Sequence, residues 1–517
     1  MPLAVFAITV ATFWPVLDNG FVTWGDRVDL LNNPHYRGLR PANLAWMFAT
    51  IQAGHYQPLS WISFAVDHAI WGMNPRGYHL TSLLLHAGCA VAVLFLIAEL
   101  VGLAMPAPGE RAALAWGALA GTLLFAAHPL RVETVAWATE RRGSLSGPLV
   151  VLSVLMYVRY AEKRSHGSSE GPQPPMSWPS DRRYWIAVIL FALSLLSKEL
   201  GFTLPAVLLV LDVYPLRRLQ GSALGGDLRR LVGEKVPFIL LGTAGLVVSA
   251  LDAASSGFTR SVSQYTIAQR AAQSFYGLGF YLRKTVVPSG LSPLYPVPPG
   301  LDPLAPRFVL SAVAVIVFTL ALVRLRRRWP AALAAWVAAV IMLSPVLGVL
   351  QAGLQIAADR YTYLPAVGLS ALVAGVLVRA WTSSRSAIAR PLVGGLACIA
   401  LAGLAAASWN QTRVWRDSET LWRHAAAVDP TNFVARNDLG SALVAANRLD
   451  DAAEQFEAAV AINPAMTDAQ FNLGVIRANQ GRLDEAIAHL RVTVALNPQD
   501  RQAQAILQQV LAARPER

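Results

Sequence analysis

Four groups of charged residues have the types and spacing to handle an anion and a proton together. The stretch HPLRVETVAWATERRGS (128–144) carries His128, Arg131, Glu133, Glu140, Arg141 and Arg142 between two apolar runs. Asp26 and Asp29 follow the first apolar run, Lys198-Glu199 forms a turn between two short runs, and Asp359-Arg360-Tyr361-Thr362-Tyr363 precedes another. Arg141, Arg142, Lys198 and Arg360 suit a phosphate, held by charge-assisted hydrogen bonds, while Asp26, Glu133 or Glu140 takes a hydroxyl proton. His55, Asp67, His128 and Tyr361 are candidates to line such a site. The same side chains could instead pair with one another to pin loops, or snorkel to the membrane surface.

Fixed Arg and Lys side chains can stabilise a phosphate leaving group in a water-poor site, so a metal is not required. A divalent ion on Asp26 and Glu140 stays compatible with the residues, and no cofactor is implied. His79 and His86, seven apart, read as buried hydrogen-bonding residues, because no third ligand at metal spacing accompanies them. No P-loop, GxGxxG, HExxH or CxxC occurs, which argues against nucleotide-dependent chemistry.

These groups are set in a membrane protein. Of 517 residues, 55% are hydrophobic and only 14% charged, against about a quarter charged in soluble domains. Apolar runs lie at 2–17, 79–103, 112–128, 145–160, 184–198, 200–214, 236–252, 307–323, 331–350, 363–381 and 391–409. Several fall short of the ~20 residues of a straight span, so neighbouring protein must cover their ends. Residues 269–287 could span or lie along the interface. No small-residue cleavage site follows the first run, so no cleavable signal peptide is expected. The two cysteines, Cys89 and Cys398, both sit in apolar runs and exclude a disulfide framework.

Charge sets the orientation. The last 108 residues hold 11 Arg, no Lys and 13 acids, which leaves 32 basic against 18 acidic residues in the first 409. That basic excess sits in short loops, as the positive-inside rule expects, and is not a nucleic-acid footprint. Placing the first loop outside puts Lys163-Arg164 with Arg182-Arg183, Arg217-Arg218 with Arg229-Arg230, and Arg385 with Arg390, all inside. The cluster Arg324, Arg326, Arg327, Arg328 joins them only if 269–287 does not span. Eleven spans and an interfacial 269–287 therefore follow, with the charged groups and the C-terminal tail outside, the periplasmic face of a bacterial inner membrane. Residues 18–77 are read as ordered at that interface, with amphipathic pieces at 41–51 and 59–71. Trp24, Trp61, Trp71 and Trp137 are read as an interfacial belt, and Phe280 to Lys284 as a surface run. Residues 165–181 read as a Pro/Ser/Gly linker on the inner side.

The tail is a repeat array. Pro430, Pro464 and Pro498 recur every 34 residues, Leu439-Gly440 returns as Leu473-Gly474, and Asp450-Asp451-Ala452 as Asp484-Glu485-Ala486. A 34-residue period of this kind marks tetratricopeptide helix pairs.

Several stretches together resemble a known family: NGFVTWGD (19–26), HYQPLSWISFAVDHAIWGMNPRGYHLTSLLLH (55–86), HPLRVETVAWATERRGSLSG (128–147), SLLSKELGFTLP (194–205), YLRKTVVPSGLSPLYP (281–296) and DRYTYLPAVGL (359–369). They are similar to GT-C-type membrane glycosyltransferases that end in tetratricopeptide repeats, the transmembrane and tetratricopeptide-repeat O-mannosyltransferases. The resemblance implies a polyprenyl-phosphate-linked sugar donor, mannose among the candidate sugars, and transfer to a hydroxyl on the outer face. It places the general base in the first outward loop, at Asp26. The chain departs from the family twice: two adjacent acids are common where it reads Gly25-Asp26, and ERKD where it reads Glu140-Arg141-Arg142-Gly143.

The expected fold is therefore all-α: a GT-C-like transmembrane bundle over 1–409, then a tetratricopeptide solenoid over 410–517. The expected activity is single-displacement, inverting sugar transfer to Ser/Thr of a periplasmic protein or peptide held by the repeats, with membrane lipid around the bundle. The alternative is a non-catalytic membrane anchor that presents repeats to secreted or envelope proteins. A lipid or polysaccharide translocase ranks lowest, because the polar residues gather toward one face.

Overall fold

The computed structural model describes all residues except 53, 106–110, 167–178, 220–223, 256–264, 349–354, 384–387 and 515–517. Most of the expected linker at 165–181, and Arg385, lie outside the described residues.

Within the described residues, each expected apolar run falls mostly on helix. The first 414 residues form α1 (Pro2–Phe13), α2 (Pro41–Ala49), α3 (Pro58–Trp71), α4 (Pro75–Ala104), α5 (Arg111–Ala126), α6 (Val132–Ala136), α7 (Arg141–His166), α8 (Arg182–Ser197), α9 (Leu204–Val213) and α10 (Leu224–Ser255). They continue through α11 (Ile267–Val286), α12 (Pro306–Arg324), α13 (Pro330–Leu343), α14 (Pro365–Ser383) and α15 (Ala389–Val414). Among the described residues, six helices are long and apolar enough to cross a membrane, or seven if the bent pair α5–α6 is one span. Of the eleven expected spans, Pro2–Asp18, Gly201–Val213 and Pro330–Val346 are shorter apolar helices. The outer helices present greasy side chains away from the protein. Only 11% of the apolar window of α12 and 6% of that of α15 is buried, with Leu310, Val317, Leu320 and Ile399 exposed. Such faces are stable only against hydrocarbon.

α4 packs against α1, α5 and α7, and its 30 residues reach about 45 Å at 1.5 Å per residue. It therefore separates two ends of the bundle. At the end carrying the repeats, His79 meets Gly20, and the Nδ2 of Asn19 donates to the Thr412 carbonyl across 3.1 Å. α11 lies along this same end. Its Ser274 donates to the Leu347 carbonyl, its Gln269 to the Leu301 carbonyl, and its last turn meets His128. It packs on α12, where Tyr276 meets Phe308 at 5.4 Å. A Thr266–Gln269 capping box starts this helix, and its apolar stripe fits an element with one wet face.

At the far end, Tyr157, Asp212, Arg218, Glu234 and Lys235 form a buried network that ties α7, α9 and α10. A two-stranded patch, β1 (Tyr295–Pro296) with β2 (Gln355–Ala357), is the only named sheet among the described residues.

The repeats are α16 (Ser418–Val428), α17 (Phe433–Ala445), α18 (Leu449–Ile462), α19 (Thr467–Asn479), α20 (Leu483–Leu496) and α21 (Arg501–Ala512). The recurring Leu-Gly has a physical cause. A Cβ on Gly440 would come within 2.7 Å of the Phe456 ring, and one on Gly474 within 2.8 Å of Leu490. Asp450-Asp451 and Asp484-Glu485 occupy first turns, where the helix dipole favours negative charge. The repeats are joined to the bundle by one apolar cluster that includes Phe13, Leu17, Trp415, Trp422 and Phe433. Thr23 N–H also donates to Ser418, and Asn432 to the Leu294 carbonyl. α15 runs unbroken through the expected boundary at 410.

Gly440→Leu is expected to overpack the α17–α18 seam and cost about 1–3 kcal/mol. Thermal unfolding and limited proteolysis of the full chain should show a lower midpoint and new cleavage near the substituted repeat.

Candidate active site

The site grows out of a broken helix. Pro129 has no N–H and keeps His128 extended, so α5 stops and the chain turns by 54° into 129–136. His128 fixes the corner: Nδ1 accepts from the Leu130 N–H at 3.2 Å, and Nε2–H donates to the Thr285 carbonyl at 3.1 Å. A second break at Trp137 separates α6 from a 3₁₀ turn, Ala138–Glu140, and α7 then begins. Nearly all of 128–144 is buried, an unusual place for so many charges.

Glu140 organises them. Fully buried, it is ion-paired with Lys198, its Oε2 accepts from the Nε of Arg142 at 3.1 Å, and the Nε of Arg360 lies 4.0 Å away. Lys198 reaches it because α8 ends at Ser197 and the next residue is extended, a turn that Ser60 pins by donating to the Ser197 carbonyl at 3.0 Å. Arg360 is held by Glu133, which pairs with its guanidinium and also accepts its backbone N–H at 2.7 Å. The guanidinium rests over the rings of Trp137 and Tyr361, and Arg131 locks the same turn by donating to Thr362 at 2.7 Å. Burial, then the nearby Glu133 charge, pushes Asp359 up to about 8, and Tyr295 donates to it.

Lys198, Arg360 and Tyr361 line a hollow of about 70 Å³, together with Gly147, Thr203 and Tyr363. It lies at the repeat end of the bundle, between α7, the turn before α9, α13 and the start of α14.

The first loop brings two more carboxylates to this region. Asp26 is fully buried and accepts from Val22 N–H at 3.0 Å, Thr139 N–H at 2.8 Å and the Thr139 hydroxyl at 2.6 Å. It thus grips the residue next to Glu140 without lining the hollow. Burial, opposed by those hydrogen bonds, raises its carboxyl to about 7. Asp29, one turn on, is buried with one oxygen unpartnered; burial, opposed by Arg142, raises it to about 6. Arg142 Nη1 is also buried without a partner. Arg142 was among the phosphate candidates read from the sequence, whereas Asp29 was named beside Asp26 without a role of its own.

Other candidates fall elsewhere. Arg141 is bound into the first loop by Asp67 at 2.7 Å, Ser63, Ser82 and the Tyr78 carbonyl, and lies over Phe64. Its full burial in that nest removes Arg141, and Asp67 with it, from the hollow. His55 pairs with Gln52 through a backbone bridge, and His128 spends both ring nitrogens on the corner. Trp61 and Trp137 are buried in aromatic clusters, unlike the expected belt, whereas Trp71 is exposed. Lys284 turns inward to the carbonyls of Ser289 and Gly290 and does not snorkel. His86 is a buried hydrogen-bonding residue, between Tyr363 and the Ala126 carbonyl.

Both departures from the family motifs have steric reasons. Gly25 has φ +78°, and a Cβ there would sit 2.8 Å from the Trp137 ring. A Cβ on Gly143 would sit 2.5 Å from Glu140 Oε1.

The fold and the charge cluster define a class: an all-α, multi-pass membrane bundle carrying tetratricopeptide repeats and a buried cation–carboxylate site. Within that class the chain resembles the TMTC protein O-mannosyl-transferases. A tetratricopeptide-repeat family model matches residues 437–501. Protein O-mannosyl-transferase TMTC2 of Mus musculus is 34% identical over 166 residues, 32% of this chain and 17% of that protein. TMTC4 of Mus musculus is 27% identical over 229 residues, covering 42% and 30%. Tmtc2 of Drosophila melanogaster is 30% identical over 294 residues, covering 53% and 28%. The chain therefore spans less than a third of the length of these relatives. Among solved structures, ArnT from Cupriavidus metallidurans bound to undecaprenyl phosphate aligns over 95% of this chain and 79% of that one. At 13% identity and a TM-score of 0.38, that likeness is too remote to carry weight on fold or ligand.

Glu140→Gln should strand Lys198 and Arg142 beside each other and destabilise the protein by about 3–5 kcal/mol; adding Lys198→Met should recover part of the loss. Asp26 binds its proton more tightly folded than unfolded, so its contribution to stability falls as pH rises from about 4 to about 7. Melting curves across that range should show the slope in the wild type and a smaller one in Asp26→Asn.

Proposed function

We propose that this protein transfers a sugar, mannose by resemblance, from a polyprenyl-phosphate carrier to a hydroxyl of a protein or peptide acceptor. The observation that supports it is the set Lys198, Arg142 and Arg360 gathered on Glu140 beside a hollow that Lys198 and Arg360 line. Lys198 and Arg360 line the hollow and no carboxylate does among the described residues, so a phosphate there would meet positive charge. In the reaction the acceptor oxygen attacks the anomeric carbon as the bond to the carrier phosphate breaks. The phosphate leaves with the electron pair, stabilised by Lys198 and Arg360, and a carboxylate takes the acceptor proton. A single displacement inverts the anomeric centre.

Asp26 is the proposed base, since a carboxyl titrating near 7 suits proton transfer at neutral pH. Asp29 is the rival, because it keeps a free oxygen whereas Asp26 already accepts three hydrogen bonds. Glu133 and Glu140 position the cations. The repeats, docked at the same end of the bundle, would raise the local concentration of an acceptor without adding chemistry. Orientation toward the periplasm is part of this reading.

The test is purified full-length protein in lipid with labelled polyprenyl-phosphate sugars and acceptor peptides. Lys198→Ala and Arg360→Ala are expected to lower kcat by about 10²–10³ each. The substitution at the base should lower kcat by about 10²–10⁴ with little change in KM. The wild-type rate should rise with pH through about 7 if Asp26 is that base, or about 6 if Asp29 is. Full function in Asp26→Asn and in Asp29→Asn, with loss on deletion of 430–517, would instead support a non-catalytic scaffold.

A further inference from the structure

We propose that a second cavity, at the end of the bundle away from the repeats, binds one anionic membrane phospholipid, its phosphate on a group of arginines and a hydrocarbon chain against the helices. The cavity has a volume of 490 Å³, within the range of ~300–1,000 Å³ typical of ligand sites. It opens between the last turn of α4, the last turn of α9, the first turns of α13 and one side of α14 from Gly368 to Arg379. Its position follows from α4: Leu100 to Met105 line it, whereas the start of α4 lies by the first loop.

Two features specify the ligand. Arg217, Arg327, Arg328 and Arg379 stand at this cavity, and no acidic residue lines it among the described residues. The acids Asp212 and Glu234 at the same end are already taken by Arg218, Lys235 and Arg164. Four guanidinium groups on a concave surface, with no carboxylate facing them, favour a ligand carrying negative charge. Arg217 has φ +51°, an uncommon conformation for a residue with a side chain. The walls are hydrocarbon: Leu100, Val101, Leu211, Leu372, Ala338 and the flank of Trp329. A free anion would leave those walls unused, and a neutral lipid would leave the arginines uncompensated. An anionic phospholipid satisfies both, as basic pockets between transmembrane helices do elsewhere. The small residues Ala334, Ala335, Gly368, Ala371 and Gly375 leave the room for a chain.

The measurement is native mass spectrometry of the full-length protein in detergent with dioleoyl-phosphatidylglycerol, dioleoyl-phosphatidylcholine, undecaprenyl phosphate or inorganic phosphate added. The wild type should retain one phosphatidylglycerol per chain in preference to phosphatidylcholine. Arg217→Gln combined with Arg327→Gln, Arg328→Gln and Arg379→Gln should weaken retention about tenfold or more. Gly375→Leu keeps every arginine and meets no neighbour within 4 Å of its new Cβ, so it fills the cavity without breaking the fold. It should weaken retention as well. Wild-type retention in Gly375→Leu would reassign the effect to surface charge and overturn the proposal. So would displacement by millimolar inorganic phosphate, tighter retention of undecaprenyl phosphate, or equal retention of phosphatidylcholine. Sugar transfer is not the readout, so the outcome is separate from that of the proposed reaction.

Discussion

One buried carboxylate constrains this end of the molecule. Glu140 has no access to water, and a buried carboxylate without compensation costs several kcal/mol. Its compensation comes from three separate parts of the chain: Arg142 from the start of α7, Lys198 from the turn after α8 and Arg360 from the turn before α14. Each of those turns is irregular, and each is held by a further tie: Ser60 to Ser197, Glu133 to the Arg360 backbone, Arg131 to Thr362. The breaks in the helices and the ion cluster therefore depend on each other. Straightening the 128–144 segment would leave the cations without their anion.

The same cluster accounts for the two places where the chain departs from the family it resembles. At Gly25 the backbone is left-handed and the Trp137 indole fills the space of a side chain. Gly143 leaves room for the Glu140 carboxylate itself. The turn at 27–31 brings a further carboxylate, Asp29, close to Arg142.

Much of the fold was legible because its signals are local. Apolar length marked the helices, and the 34-residue period marked the solenoid, down to the glycines that admit Phe456 and Leu490. The amphipathic pattern of 269–287 was legible as one helix, α11, with a wet face. Number of full crossings was not legible, since an apolar run of 16 residues reads the same whether it spans or stops short. At the site, residue types were readable but partners were not. Arg141 and Arg142 are neighbours in sequence, yet one faces Asp67 and the other Glu140, a division set by the first turn of α7 packing between two loops. Lys284 and Trp137 were read as surface residues from their chemistry, and tertiary carbonyls and aromatic rings claimed them.

On the proposed reaction, the hollow of about 70 Å³ must widen for a sugar phosphate, and the cations would trade part of their contact with Glu140 for the ligand. The most direct measurement is a structure of the full-length protein with a polyprenyl-phosphate sugar bound. The account predicts the phosphate oxygens at about 2.7–3.2 Å from the Lys198 and Arg360 nitrogens, with the anomeric carbon facing the Asp26–Asp29 loop. A phosphate seated away from both cations, or an anomeric carbon turned from that loop, would contradict it.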